Sequence, residues 1–355
     1  MKETLLLFVG LTILPVFGQE EIMPRPPKRP WTGNELVRLI RDTRIGEPRH
    51  AKNLVVYPLF TSGLASGGYW TLDGALARKA LRITEKGEGN VPELLVENLA
   101  DEPIFLMAGE IVTGGKQNRV IAQDILLAPR SGPISLGVYC VEHGRWTVQT
   151  KYFGAERDIA HNQLRQQLND VSNSQSQVWT EVSRKARAVT GQAAASPTGY
   201  LGAAFQDRDV QRKVDGYTKS IALPRDANGM AVLTGGRVAG VEIFGDCETF
   251  AKLRDKLLRS YAVDAIESDA TDIGGHGRDM VVEFLRRAED TRLVSKPSLG
   301  VGRLLGIEGA GLYGSVLVFH EQRGAHSVVH TSIFPANPVI EQPTPRPLPR
   351  RLPRE

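Results

Sequence analysis

Between Val91 and Trp146 the chain alternates short apolar runs with turns too short to hold a crossover helix, and this alternation restricts the fold more than any other feature. Glu93 to Asn98, Pro103 to Met107 and Val120 to Leu127 read as strands. The Asn98 to Pro103 segment between two of them has the residue types of a hairpin turn. Antiparallel neighbours are therefore expected. Upstream, Asn53 to Phe60 reads as a strand, Ser62 to Gly68 as a Gly-rich loop and Thr71 to Leu81 as a helix.

After Trp146 the period changes. Asp158 to Leu168 is polar and permits a helix, while Trp179, Val182, Ala186 and Val189 recur on one helical face. Val210, Val214, Tyr217 and Ile221 mark another amphipathic helix. Met230 to Thr234, Gly235-Gly236 and Arg237 to Phe244 make a hairpin signature, since two glycines supply the positive φ angles of a tight turn. Asp246 is placed to cap the next helix, whose stripe is Phe250, Leu253, Leu257, Leu258 and Tyr261. Met280 to Ala288 reads as a helix. Three runs then form a meander: Arg303 to Ile307, Leu312 to Phe319 and Ser327 to Phe334. Strands, helices, hairpin, helices and strands in that order predict an α+β fold, a mainly antiparallel sheet core with several packed helices, in one large domain over residues 51–335.

The two ends differ from this body. Residues 1–18 have a charged start, an apolar run and Val16 and Gly18 at the −3 and −1 positions of a cleavage site, which predicts an export signal peptide and a periplasmic or secreted protein. An uncleaved anchor is the alternative, disfavoured because the apolar run falls short of the roughly 20 residues of a span. No other segment is apolar enough to cross a bilayer, so no membrane span is expected after cleavage. Residues 19–50 read as a Pro-rich linker and a short helix signalled by Thr32 and Glu35. Residues 336–355 form a Pro/Arg-rich tail expected to be disordered. The formal charge of +4 resides largely in these ends, +2 from the tail and +1 from the leader. The body lacks the broad basic face that a nucleic-acid partner requires.

Two polar clusters interrupt the strands. Gly109-Glu110 and Gly114 to Arg119 bring a carboxylate, the Gln117 and Asn118 amides and the Lys116 and Arg119 cations into eleven residues. Glycine admits close backbone approach, amides pair with bases or sugar hydroxyls, and a guanidinium fits a carboxylate or phosphate. A tight turn whose polar residues satisfy one another is the competing reading. Cys140, Glu142, His143, Arg145 and Trp146 close a strand. A Cys-His nucleophile is weakly signalled there, because sequence neighbours seldom have the geometry and no nucleophile motif surrounds them. Cys140 and Cys247 permit one disulfide in an exported chain, and both also suit small buried positions. The seven histidines show no ligand spacing, so no metal site is expected, and no cofactor is named. Glu242, beside the Gly235-Gly236-Arg237 hairpin, repeats the first cluster's ingredients.

The blocks Asn53 to Leu59, Pro92 to Asn98, Ala108 to Arg119, Cys140 to Trp146, Gln177 to Trp179 and Gly240 to Phe244 resemble, in order, the ADP-ribosylglycohydrolase- and rhodanese-phosphatase-associated protein domain over about residues 50–265. That family brings no established activity, and its name implies by association a role near nucleotide-derived ligands. The resemblance singles out Glu110, Lys116, Gln117, Asn118, Arg119, Cys140, Glu142, Arg145 and Trp146, with Glu242 behind them. Three readings follow. The first is an exported domain binding a polar anionic small molecule, nucleotide- or sugar-like, with Gln117 and Asn118 for hydrogen bonds, Arg119 and Arg145 for the anion and Trp146 as a wall. The second is a hydrolase of a nucleotide-, ADP-ribose- or sugar-derived substrate with Glu110 or Glu142 as general base. The third is a structural envelope protein that makes contact through its tail.

Overall fold

The computed structural model describes residues 33–62, 68–87, 92–142, 147–169, 173–190, 202, 205, 207–268, 276–320 and 326–336, and the expected signal peptide, residues 19–32, the tail beyond Ala336, Arg145 and Trp146 lie outside them. Helix α1 (Gly33–Arg41) buries Leu36, Leu39 and Ile40 on one face. Strands β1 (Thr43–Ile45) and β2 (Arg49–Ala51) then both pair antiparallel with β3 (Leu54–Thr61), so the sheet starts inside the segment expected as linker. Three-residue strands are too short to show a two-residue period in sequence.

Strand β4 (Trp70–Thr71) enters α2 (Leu72–Ala77), which stops before the expected Leu81. Lys79 there adopts a φ of +54°, ending the helix and turning the chain into an unforeseen strand, β5 (Leu81–Glu85). Next come β6 (Glu93–Asn98), β7 (Ile104–Leu106), β8 (Glu110–Thr113), β9 (Arg119–Ile121), β10 (Ile125–Leu127), β11 (Ile134–Cys140) and β12 (Gly154–Ile159). The expected Val120–Leu127 strand is two strands in different sheets, divided where the Asp124 carboxylate accepts the Ala108 N–H at 2.8 Å. Asp158 and Ile159 are extended rather than helical because Ile159 pairs with Glu110 of β8, and α3 (Asn162–Leu168) begins only beyond them.

The rest follows the sequence expectation in its order of elements, apart from an unforeseen strand at Arg292–Ser295 and a buried face on the fourth helix that passes through Val178 instead of Trp179. Helices α4 (Gln175–Thr190) and α5 (Arg208–Thr218) precede the hairpin β13 (Gly229–Thr234) and β14 (Arg237–Phe244), whose Gly235 and Gly236 have φ of +54° and +75°. Asp246 caps α6 (Cys247–Glu267) by accepting the Thr249 N–H at 2.7 Å. Helix α7 (Gly277–Glu289) leads to β15 (Arg292–Ser295), β16 (Gly302–Gly309), β17 (Leu312–His320) and β18 (His326–Pro335).

Nine strands make the principal sheet, in the order β1-β3-β13-β14-β18-β17-β16-β15 with β2 also on β3. All its pairings are antiparallel. One face, carrying Leu59, Val241, Ile243 and Ile307, packs with the apolar sides of α1 and α7. The other, carrying Val56, Met230, Phe244 and Leu317, packs with α4, α5 and α6 and with strands of the central segment. A third apolar cluster lies inside that segment, between the six-stranded sheet β12-β8-β9-β11-β6-β5, the three-stranded sheet β10-β7-β4 and α2. The fold is α+β, and β4–β7 is a short parallel pair within a mainly antiparallel whole. The seam between the principal sheet and the central segment brings distant polar residues together.

Candidate functional site

The central loop folds onto itself. Lys116 donates its N–H to Glu85 Oε1 at 2.8 Å, Asn118 Oδ1 accepts the Gly114 N–H at 3.1 Å, and Glu142 Oε2 accepts the Asn118 N–H at 3.1 Å. Gln117 Nε2 donates to the Glu142 carbonyl at 2.9 Å while its Oε1 accepts the Cys140 thiol at 3.0 Å and Arg119 Nη1 at 3.4 Å. Gly115, with φ of +48°, suits this turn, because a Cβ there would stand 2.4 Å from both Glu85 Oε1 and Phe153 Cζ and would push them aside. Gln117, Asn118, Arg119, Cys140 and Glu142 are all buried, Lys116 partly so. This geometry joins five sequence candidates into one knot whose polar atoms largely face one another. Burial raises the pKa of the Cys140 thiol above its ordinary value, leaving it protonated at neutral pH. Both cysteines are free, Cys140 buried and Cys247 exposed.

Glu242 belongs to a different cluster. On β14 it accepts Tyr261 Oη of α6 at 2.8 Å, pairs with Arg165 Nη1 of α3 at 2.8 Å and meets His330 Nε2 of β18 at 3.0 Å. His330 Nδ1 is 2.7 Å from Asp124, in the β9–β10 turn, and its ring stacks on Phe244 at 4.3 Å. Burial opposes every charge here, but the partners prevail. Arg165 and His330 hold Glu242 at about 2, and Asp124 with Glu242 holds His330 at about 9. Arg165 rises above its ordinary value against its own burial, through Glu242. This sealed chain of charges fastens the central segment to the principal sheet. Gly109 lets Arg165 through: a Cβ there would lie 2.7 Å from Arg165 Cγ.

Glu110, next to Gly109, turns the opposite way. Its Oε2 accepts the Met107 N–H at 2.9 Å and its Oε1 lies 3.5 Å from Lys256 Nζ of α6. Burial raises it to about 7 against the pull of Lys256. Lys256 also meets Asp73 of α2 at 2.7 Å, and its own pKa is raised, since the two carboxylates outweigh its burial.

One turn along α6 from Lys256, a cavity of about 350 Å³ opens between β4–α2 and the amino end of α6. Tyr69, Trp70, Thr71, Gly74 and Arg78 form one wall. Asp246, Glu248, Thr249 and Lys252 form the other, with Glu102 at the rim. Tyr69 Oη donates to Asp246 Oδ2 at 3.1 Å across the base, and the Arg78 guanidinium lies 5.0 Å above the Trp70 ring. The volume falls in the small-molecule range of roughly 300–1,000 Å³. None of the site candidates named from the sequence lines this cavity. Its aromatic pair, Tyr69-Trp70, and the Asp246 cap were visible as residue types, but α2 ends at Ala77 and α6 begins at Cys247, and only the fold joins them. A smaller cavity, about 150 Å³, lies by Gln123, Tyr139, Lys296 and Ser315. Among the described residues no group of His, Cys, Asp and Glu is arranged to hold a metal.

Comparison with curated proteins and with solved structures finds no match. A family model, the ARG and Rhodanese-Phosphatase-superfamily-associated Protein domain, matches residues 42–334. The match begins at the start of β1 and ends in β18, so it spans the principal sheet, the central segment and the seam between them. The chain belongs to the family of the ARG and Rhodanese-Phosphatase-superfamily-associated Protein domain.

Proposed function

We propose that this domain binds a small polar ligand in the cavity between α2 and the amino end of α6, and that it does so outside the cytoplasm after export. The cavity carries the proposal, since it combines a sufficient volume with an aromatic wall and charged groups of both signs. Arg78 and Lys252 suit an anionic group on the ligand. Glu102 and Glu248 suit hydroxyl or amino hydrogens, and Trp70 offers an apolar flank. A nucleotide- or sugar-like molecule bearing an anionic group meets all three demands, and the family name's association with ADP-ribose enzymes fits that class.

Thermal shift of residues 19–355 against nucleotides, ADP-ribose and sugar phosphates tests the proposal. A ligand at a hundred times its Kd should stabilise the fold by about 2.7 kcal/mol. Arg78→Ala should abolish the shift with little change in the Tm of the free protein, because Arg78 is exposed, and Trp70→Ala should abolish it at some cost in Tm, because Trp70 also packs against the third apolar cluster. A shift that survives both substitutions sinks the cavity assignment and returns attention to the Gln117–Arg119 knot.

Hydrolysis in the same cavity is the second reading, favoured by one observation. Glu110 is held at about 7, where a general base works best near neutral pH. Its carboxylate lies behind Lys256, outside the cavity lining, so binding is the better supported reading. Turnover of any bound ligand, abolished by Glu110→Gln with binding retained, would reverse that order.

A further inference from the structure

Lys256 stands between two carboxylates of unlike surroundings. Its Nζ is 2.7 Å from Asp73, whose side chain is 46% exposed, and 3.5 Å from Glu110, which is 1% exposed as a side chain. Asp73 lies in the first turn of α2, the helix that carries Gly74 and reaches Arg78 on one wall of the cavity. Lys256 lies one turn beyond the other wall on the helix that builds it, since Thr249, Lys252 and Lys256 follow at three- and four-residue steps along one face of α6. The Asp73–Lys256 pair is thus an ionic tie between the two helices that carry the walls, and Glu110 is a buried competitor for the same ammonium.

We propose that Lys256 is a proton-controlled latch on the cavity: with Glu110 neutral the ammonium holds Asp73 and joins α2 to α6, and with Glu110 ionised it is drawn inward and the α2 wall loosens. The proton leaves Glu110 for solvent, and the net charge of the three groups passes from zero to minus one. A bare carboxylate in a poorly solvated site pulls harder on a cation than a half-exposed one screened by water, so ionisation favours the inner partner. Burial places the ionisation of Glu110 close to neutrality, where a modest change of pH alters its charge.

Among the described residues the other charged groups of the neighbouring elements are engaged elsewhere. On β12, Asp158 is engaged by Arg259. On α3, Arg165 is engaged by Glu242, and in the β9–β10 turn Asp124 is engaged by His330. Strand β8 itself carries no charge besides Glu110. Lys256 and Asp73 are the groups that face it from α6 and α2. A looser α2 wall at higher pH would weaken capture of a ligand, so the latch is a form of regulation that rests on the cavity reading for its purpose but not for its test.

Hydrogen exchange of the full mature chain, without any ligand, decides the matter. The reporters are the Lys79 and Ala80 amides, which donate to the Leu76 and Ala75 carbonyls at the end of α2. After correction for intrinsic exchange, their protection should fall roughly tenfold from about pH 6 to about pH 8, while mid-α6 amides hold theirs. Asp73→Asn should give the low protection at both values, and Glu110→Gln the high protection at both. An unchanged protection ratio in the wild type, or a wild-type pH response in Asp73→Asn, overturns the latch even if Glu110→Gln fails to fold. Because no ligand enters, a failed latch leaves the binding proposal standing, and a silent ligand screen leaves the latch testable.

Discussion

Single side chains in this protein carry charge where burial is nearly complete, and each choice has a measurable pH signature. Glu110 has its folded pKa raised to about 7 from an ordinary 4.5. Its neutral form is favoured by folding, so the associated stability is fully present below about pH 4.5 and is lost as pH rises through 7. Denaturant unfolding should show Glu110→Gln free of that loss, gaining about 3 kcal/mol on the wild type between about pH 4.5 and pH 8. Superimposable pH profiles would refute a raised Glu110. His330 is also raised, to about 9 from 6.5, but here the stabilised form is the cation. Its contribution is present below about pH 6.5 and disappears as pH rises through 9. His330→Ala leaves Asp124 and Glu242 facing each other's buried charge, and should cost roughly 3–5 kcal/mol at pH 7 in a urea titration. The residue types of this chain were all readable, but not their partnership. Asp124 and His330 are 206 positions apart and Glu110 and Lys256 are 146 apart, and no local period links residues that meet only through packing.

At the level of elements, the strongest local signals gave the right structure. Gly235-Gly236 makes the hairpin of β13 and β14, and Asp246 caps α6, because both effects act within four residues. Weaker signals gave way to long-range pairing. The short strands β5 and β15 were not foreseen, and Asp158 and Ile159 joined β12 instead of a helix. On α4 the buried face is set by Val178, Val182, Lys185 and Val189 rather than by Trp179. Lys185 is admitted to that face by Asp264 of α6 at 2.7 Å, a partner that an apolar stripe cannot announce. Gly109 ties β8 to α3 at a φ of +93°, with no room for a Cβ beside Arg165. Gly109→Ala should therefore destabilise by at least about 2 kcal/mol, through backbone strain together with displacement of a buried guanidinium from Glu242. A change under about 0.5 kcal/mol in thermal or urea unfolding would mean that Arg165 has another way in.

For the whole molecule, the family match ends at residue 334 and the last described strand at Pro335, within one residue of each other. A chain truncated after Ala336 should keep the unfolding free energy of the untruncated chain to within about 0.5 kcal/mol, since no described strand or core residue lies beyond it. A larger loss would give the Pro/Arg tail a structural role. By itself the sequence determined the α+β class, the antiparallel habit of the central segment, the principal hairpin and the family, because each depends on turn chemistry, periodicity or ordered blocks along the chain. The tertiary structure alone decided that Gln117, Asn118 and Arg119 turn inward upon Glu142 and Cys140, and that Glu242 and Glu110 serve separate clusters. It also decided that a polar cavity of about 350 Å³ lies between α2 and α6. The reason is physical. A polar residue's role depends on whether water or a partner satisfies it, and the partners here are brought from distant strands and helices by the burial of three apolar clusters.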